Sequence, residues 1–322
     1  MSISPVVLDA AAVEDLLPQI DVMSEVRQLF VALGQHRAVQ PPQTITLLPE
    51  DKGDFITYLG AMDVYFGAKL SPYLVQEKGG LVTAWTLLMS AQTGHPLMLC
   101  DAAQLTVERT AATTALAVDL LAQPAAKHLA IIGSGPIAQA HWRYVQTLRP
   151  WDRVRIYSPN LQDNPTRQSQ WRNLCPDVEM VQGPALACDG ADAILLCTSS
   201  GTPVVDLKSD MAGTLVTSIS TNVPGAHEVP PAVLPTAQVY CDDKHGTPAA
   251  AAEMCLAQSQ HGWSADQIVG DLADLATCRA DLPTGDKAVY FRSIGLGLED
   301  IAIARAIYDA ARAAKEGMSH AY

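Results

Sequence analysis

The sequence predicts a doubly wound α/β domain built on a parallel sheet, joined to a discontinuous α+β domain made from both chain ends. Three observations carry this. Short apolar runs alternate with helix-like stretches through the middle of the chain, a glycine-rich turn links the first such run to its helix, and the first 120 residues show strand-like runs with a hairpin turn instead.

Leu129-Ala-Ile-Ile132 reads as a buried strand, followed by a helix from Ile137 to about Thr147. Further strands are expected at Val154–Tyr157, Val178–Val181, Ala193–Cys197, Thr214–Ile219 and Val239–Cys241. Runs this short and this apolar suit strands covered on both faces. The domain is expected over 123–294.

Near the start, Val6-Val-Leu8 leads into a helix that Asp9 can cap, and a second helix is expected over Met23–Gly34. Strands follow at Thr44–Leu48, Phe55–Leu59, Phe66–Leu70 and Val82–Met89, the last turning at Gln92-Thr-Gly-His95. An apolar helix over Ala111–Leu121 leads into the central domain. The final helix, Leu298–Ala314, places Ile301, Ala304, Ile307 and Ala311 at helical spacing, and is expected to pack on the first domain. That domain therefore takes 1–122 and 295–322.

With 48% hydrophobic and 17% charged residues, the 322-residue chain has a core to bury. Its 34 acids against 21 Lys and Arg give −13, which argues against a broad grip on nucleic acid or anionic lipid. No apolar run approaches the ~18 residues of a membrane span, and the start lacks a signal-peptide pattern. Seven cysteines without a C-x-x-C pair suggest neither a disulfide framework nor a zinc site. The expectation is a cytoplasmic protein with no membrane, nucleic-acid or metal partner.

Gly133-Ser134-Gly135-Pro136-Ile137-Ala138 is G-x-G-x-x-A in a strand–turn–helix setting. Gly133 permits the turn, Gly135 lets backbone approach a pyrophosphate, and Ala138 lets helix and strand close up, so the domain reads as Rossmann-type. The second strand ends Tyr157-Ser158-Pro159-Asn160, without the carboxylate that an NAD ribose uses. Ser158 and Asn160 can donate to a 2′-phosphate with Arg167 as counter-charge, so NADP(H) is favoured and NAD(H) remains open.

In the first domain, Lys69 and Arg109 stand among apolar neighbours. A buried cation needs an anion, and the carboxylate of a small acid suits Arg109. The plain alternative is a surface lysine, with Arg109 paired to Glu108 or another acid.

These stretches resemble the ornithine cyclodeaminase/μ-crystallin family. The matching residues are Gly67-Ala-Lys69, Gly80-Leu-Val-Thr83-Ala84, Thr93-Gly94-His-Pro96-Leu97 and Asp101…Leu105-Thr106…Arg109-Thr110-Ala-Ala112. They continue through Ile132-Gly133-Ser-Gly135…Ala138, Thr198-Ser-Ser200…Pro203-Val204 and Pro224…Glu228. Gly270-Asp271-Leu272 and Ser293-Ile-Gly295-Leu296…Glu299-Asp300 complete the series in family order. The resemblance implies a homodimer, with the first domain and last helix forming the substrate and dimerisation unit. It also implies that Lys69 and Arg109 hold the substrate carboxylate near Thr83, and that Lys69 is the proton partner of the reacting nitrogen. Thr110, Thr198, Ser199, Ser200, Ser293 and Gly295 join the glycine turn as cofactor-side residues.

Two departures matter. Where cyclodeaminase members carry an Asp, this chain places Asn222, whose amide takes no proton at neutral pH. Where many relatives carry an Arg for the carboxylate, it has Gln43. The expected function is an NAD(P)H-dependent reductase of small α-imino acids, cyclic ketimines or imines of 2-oxo acids, yielding an L-amino acid. Arg109 would set the imine carbon ~3–3.5 Å from the hydride donor. His227 is a rival acid/base in the Asn222 loop. Two alternatives stay open: an ornithine- or lysine-type cyclodeaminase, if Asp242 compensates for Asn222, and a non-catalytic NADP-binding crystallin-like protein.

Overall fold

A computed structural model describes residues 4–77, 79–206, 211–219 and 225–319. The chain divides into two compact units, Met1–Arg109 with Leu296–Tyr322, and Thr110–Gly295.

The first unit opens with β1 (Val6–Leu8), α1 (Ala10–Leu16) and α2 (Val22–Gly34). Asp9 caps α1 by accepting from Ala12 N–H at 3.0 Å, and Asp21 caps α2 in the same way through Ser24. A sheet follows: β2 (Ala38–Val39), β3 (Thr44–Leu47), β4 (Gly53–Met62), β5 (Tyr65–Gln76), β6 (Gly79–Val82), β7 (Trp85–Ser90) and β8 (Pro96–Asp101). Its order is β1-β8-β7-β5-β4-β2, with β3 also on β4 and β6 also on β5. All pairs are antiparallel except β1 with β8.

The expected strand over Val82–Met89 is two strands, broken at Thr83-Ala84. Thr83 N–H reaches Pro72 O at 3.3 Å, but Pro72 has no N–H to return the bond, so the ladder stops and restarts at Trp85. Lys69 and Gly67 point to the face that meets the last helix. Leu59 (40% exposed), Phe66 (38%), Leu70 (49%), Trp85 (38%) and Leu87 (38%) crowd the opposite face.

Next, α3 (Ala103–Leu121) begins eight residues earlier than its apolar run suggested, because Asp101 accepts from Ala103 N–H at 2.9 Å and starts the turn there. The units part inside this helix, at Arg109/Thr110, rather than at its end near 122.

The second unit contains β9 (His128–Ile132), α4 (Pro136–Val145), β10 (Arg153–Tyr157), α5 (Pro165–Leu174), β11 (Glu179–Met180), α6 (Pro184–Cys188) and β12 (Ala193–Leu196). It continues with β13 (Leu215–Ser218), β14 (Gln238–Cys241), α7 (Thr247–Ala250), α8 (Ala252–Gln260), β15 (Ile268–Asp271), α9 (Leu272–Ala276) and β16 (Val289–Arg292). The strands run parallel in the order β11-β10-β9-β12-β13-β16-β14-β15. From β9 the order turns outward both ways, so the topological switch lies between β9 and β12, where such sheets bind ligands. Six of the eight strands were expected; β15 and β16 were not. Residues 193–196 of β12 and 289–291 of β16 are fully buried.

The chain closes with α10 (Gly297–Ser319), which returns to the first unit and packs on β4, β5 and α2. Its seat on β4 is backbone on backbone. A Cβ at Gly297 would stand 2.3 Å from Leu59 O, and one at Gly60 would stand 2.7 Å from Leu298 Cα.

Candidate functional site

The glycine turn sits at the carboxyl end of β9. Gly133 adopts φ +117°, and a Cβ there would meet Cys197 O at 2.3 Å, so no other residue fits. Beside Gly135 the space is open, its nearest neighbour being Arg167 Nη1 at 3.7 Å. Gly135 caps α4 without any side-chain bond, and Pro136 occupies the first turn. The N–H groups of Ile137 and Ala138 thus point outward at a helix start, an arrangement that suits a pyrophosphate. Ala138 is fully buried, as close packing of helix and strand demands.

Arg167 lies in the first turn of α5, and its Nη1 donates to Ser134 O at 2.8 Å, beside Trp171 Nε1 on the same oxygen at 3.0 Å. This places the guanidinium against the glycine turn. Ser158 and Asn160 form the turn after β10, where Leu161 N–H closes on Ser158 O at 3.0 Å. The residues fit a dinucleotide.

Two buried acids, Glu228 and Asp242, the second considered from sequence only as a stand-in for the acid missing at Asn222, shape the other loops at this end of the sheet. Glu228 Oε1 accepts from Thr198 N–H (3.0 Å) and Thr198 Oγ1 (2.6 Å), while Oε2 accepts from Ser218 Oγ (2.7 Å). It ties the ends of β12 and β13. Thr198 Oγ1 in turn accepts from Ser200 N–H at 3.1 Å, so the Thr198-Ser199-Ser200 loop is built on this carboxylate. Asp242 Oδ2 accepts from Ser293 Oγ (2.9 Å), Ile294 N–H (2.7 Å) and Gly295 N–H (3.0 Å), and Oδ1 from Thr247 Oγ1 and Asp243 N–H. Five donors saturate Asp242, which leaves it no lone pair for the role of a compensating acid. The Ser293 hydroxyl and the Ile294 and Gly295 N–H groups are all spent on Asp242, and Ser293 N–H on Ser218 O, so the carboxylate fixes the shape of the 293–295 loop. The nearby signal in the sequence was an acid directly after an apolar strand, Val-Tyr-Cys-Asp242. Asn222 lies outside the described residues, and His227 bonds the Gly225 carbonyl through Nδ1 at 2.9 Å.

The first unit holds the two expected cations, buried and already matched by anions. Lys69 Nζ lies 2.9 Å from both Asp300 oxygens, 3.2 Å from Thr106 Oγ1, and 4.2 Å from the centre of the Tyr58 ring. Arg109 Nη1 meets Glu299 Oε2 at 2.8 Å, and its Nε lies 3.2 Å from Asp300 Oδ1. Lys69 is 1% exposed, and Arg109, Glu299 and Asp300 are all buried. The anion required by Arg109 comes from α10 and not from Glu108. Burial pushes the Lys69 pKa down from 10.5 to about 8. Asp300 opposes the fall, Arg109 adds to it, and Glu299 opposes it. Burial also works against the Arg109 charge, yet Asp300 and Glu299 outweigh it and raise that pKa further.

Gln43 stands just before β3, and the β3–β4–β5–β7 register sets it in one cross-strand row with Tyr58, Lys69 and Thr86. Gln43 Oε1 and Thr86 Oγ1 are buried without a hydrogen-bond partner among the described residues. Thr83 is held through its backbone, by Pro72 and by Ser71 Oγ at 3.5 Å, at the break beside this row. Thr110 begins the second unit on α3.

Among the described residues, no helix is long and apolar enough to cross a membrane. An NAD(P)H-dependent anabolic L-arginine dehydrogenase of Pseudomonas aeruginosa is 52% identical over 95% of this chain and 97% of its own. A Δ1-pyrroline-2-carboxylate reductase of Colwellia psychrerythraea is 27% identical over 69% of this chain and 72% of its own. The structure of an archaeal alanine dehydrogenase dimer with bound NAD superposes with a TM-score of 0.87 at 23% identity, covering 97% of each chain, which supports the fold. A sequence profile matches residues 4–315, and with it the glycine turn, the Lys69–Arg109 cluster and the returning last helix, so this chain belongs to the ornithine cyclodeaminase/mu-crystallin family.

Proposed function

We propose that the chain is an NAD(P)H-dependent dehydrogenase that reduces the imine of a 2-oxo acid to an L-amino acid, with a guanidino acid as substrate and L-arginine as product. The observation that carries this is the 52% identity, along 95% of the chain, to an L-arginine dehydrogenase. The site chemistry agrees with it. Asn222 stands where a cyclodeaminase uses an acid, Gln43 stands where many relatives carry an Arg for the carboxylate, and Asp242 is saturated by its five donors.

The glycine turn, the open start of α4 and Arg167 would hold the dinucleotide, with NADPH preferred because no carboxylate stands at the Ser158–Asn160 turn. Reduced nicotinamide, when bound, supplies the hydride. In the first unit, Arg109 Nη1 donates to Glu299, its Nε lies 3.2 Å from Asp300 without a hydrogen bond among the described residues, and Nη2 is the donor for the substrate carboxylate. Lys69, with a pKa near 8, holds a proton at neutral pH and can release it to the substrate nitrogen as the C=N bond becomes a C–N bond. The apolar sheet face bearing Leu59, Phe66, Leu70, Trp85 and Leu87 is proposed as the surface of a homodimer.

A panel of 2-oxo acids with ammonia, including 5-guanidino-2-oxopentanoate, and of cyclic ketimines tests the reading, each with NADPH and NADH. Loss of NADPH absorbance fastest with the guanidino acid is expected. No oxidation with any of them, joined with ammonia release from ornithine, overturns it.

A further inference from the structure

The two acids that open α10, Glu299 and Asp300, sit on the two cations of the first unit. We propose that Asp300 is a positioning residue for the reduction: it aims the Lys69 ammonium at the substrate nitrogen and keeps it charged until the proton is given up. This rests on the reading of Lys69 as the proton donor.

An ammonium has three N–H bonds. One is taken by Asp300 at 2.9 Å and one by Thr106 Oγ1 at 3.2 Å. The Thr106 hydroxyl hydrogen is itself spent on Ala102 O at 2.8 Å, so this oxygen can only accept from Lys69. Among the described residues, the third direction meets nothing stronger than the face of Tyr58, whose centre is 4.2 Å away. A π face holds an ammonium less tightly than a carboxylate does, so this is the bond a substrate nitrogen can replace. Two fixed directions determine the third.

Asp300 touches both cations, Lys69 through two oxygens and Arg109 at 3.2 Å from Nε. Without it Lys69 and Arg109 would face each other with Glu299 alone between them, and Lys69 would shed its proton at lower pH. The groups on the elements around Lys69 are Asp300 and Glu299 of α10, Arg109 and Glu108 of α3, Tyr58 of β4 and Cys100 of β8. Burial raises the Cys100 thiol to about 12, which keeps it neutral throughout the working range. Among these anions, Asp300 makes the direct contact with Nζ.

Atoms balance simply. Hydride from reduced nicotinamide forms the new C–H bond, the C=N π pair takes the Lys69 proton, and neutral Lys69 recovers its proton from solvent. Asp300 takes no part in the proton exchange.

The test is the pH profile of kcat/KM for NADPH-dependent reduction in wild type, Asp300→Asn and Asp300→Glu, with NADPH affinity followed by fluorescence. Wild type is expected to lose activity above about pH 8. Asp300→Asn is expected to move that limb down by about one pH unit or more and to lower kcat, with NADPH binding unchanged. Asp300→Glu is expected to bring the limb back. A limb that stays in place in Asp300→Asn, while only stability falls, overturns the inference. Should Asp300→Asn not fold, Thr106→Val releases the other fixed direction without touching charge. A tenfold or greater loss of kcat at unchanged NADPH affinity supports the orienting role, and an unchanged kcat sinks it. If wild type reduces no imino acid at all, the failure belongs to the functional reading and not to Asp300.

Discussion

The Arg109 guanidinium and the Glu299 carboxylate, 190 residues apart in the chain, meet at 2.8 Å with both side chains buried. Truncating one partner of such a pair leaves the other charged in a low-dielectric site, at a cost of about 3–5 kcal/mol. Arg109→Ala is therefore expected to melt well below wild type. Arg109→Lys keeps the charge but loses the fork, so turnover should fall at least tenfold while NADPH affinity holds. Equal loss of turnover and nucleotide binding in the lysine variant would show that Arg109 is misplaced as a substrate residue.

Lys69 sets opposite pH dependences for the two directions of one reaction. Reduction needs the ammonium and should decline as pH rises through about 8, whereas oxidation of the amino acid needs the neutral amine and should rise through the same range. Initial rates in both directions over pH 6.5–10 check this. Parallel curves would contradict it.

Arg167 has one N–H committed to Ser134 O and further donors in hand. If these meet a 2′-phosphate, Arg167→Ala should raise the KM for NADPH about tenfold, the factor that 1.4 kcal/mol represents, and leave that for NADH nearly unchanged. A variant that weakens both equally would assign the residue to the glycine turn alone.

His141 on α4 is fully buried, with one ring nitrogen on Ile137 O at 2.7 Å and the other on Thr114 Oγ1 at 3.0 Å. Burial drives its pKa from 6.5 down to about 4, against a smaller opposing pull from the Ile137 carbonyl. The unfolded chain takes up this proton first, so stability present above pH 6.5 drains away as pH falls towards 4, by up to roughly 3 kcal/mol. Urea unfolding of wild type and His141→Asn at pH 7 and pH 4.5 measures it: the wild type should lose more than the variant over that interval.

The exposed apolar face predicts the oligomer. Leu70→Asp at its middle should shift the protein from dimer to monomer in sedimentation. A wild-type chain that sediments as a monomer would remove the proposal.

Local signals were the ones that could be read from sequence. The β9 run, the glycine turn and the α4 start sit within a dozen residues, and each constrains the next, so this strand–turn–helix unit was legible. So were the Asp9 cap and the turn at Gln92-Thr-Gly-His95. β15 and β16 were not: Ile268–Asp271 and Val289–Arg292 each end in a charged residue, and their places in the sheet come from pairing with β14 across long stretches of chain. Lys69 and Arg109 could be picked out as cations among apolar residues, but their anions could not, since 190 and 231 positions separate the pairs. Glu228 and Asp242 were invisible as supports for the same reason: an acid's worth as an acceptor depends on which amides the fold brings to it.

The meeting of Gly60 and Gly297 has one more effect. With no side chain on either, α10 comes to rest against the β4 main chain itself, and this hard stop fixes the height at which its first turn delivers Glu299 and Asp300. A single methyl at either position would jack the helix away and leave two positive charges without their counterweights. Chemistry at Lys69 would then be governed by a spot that touches neither the lysine nor any ligand.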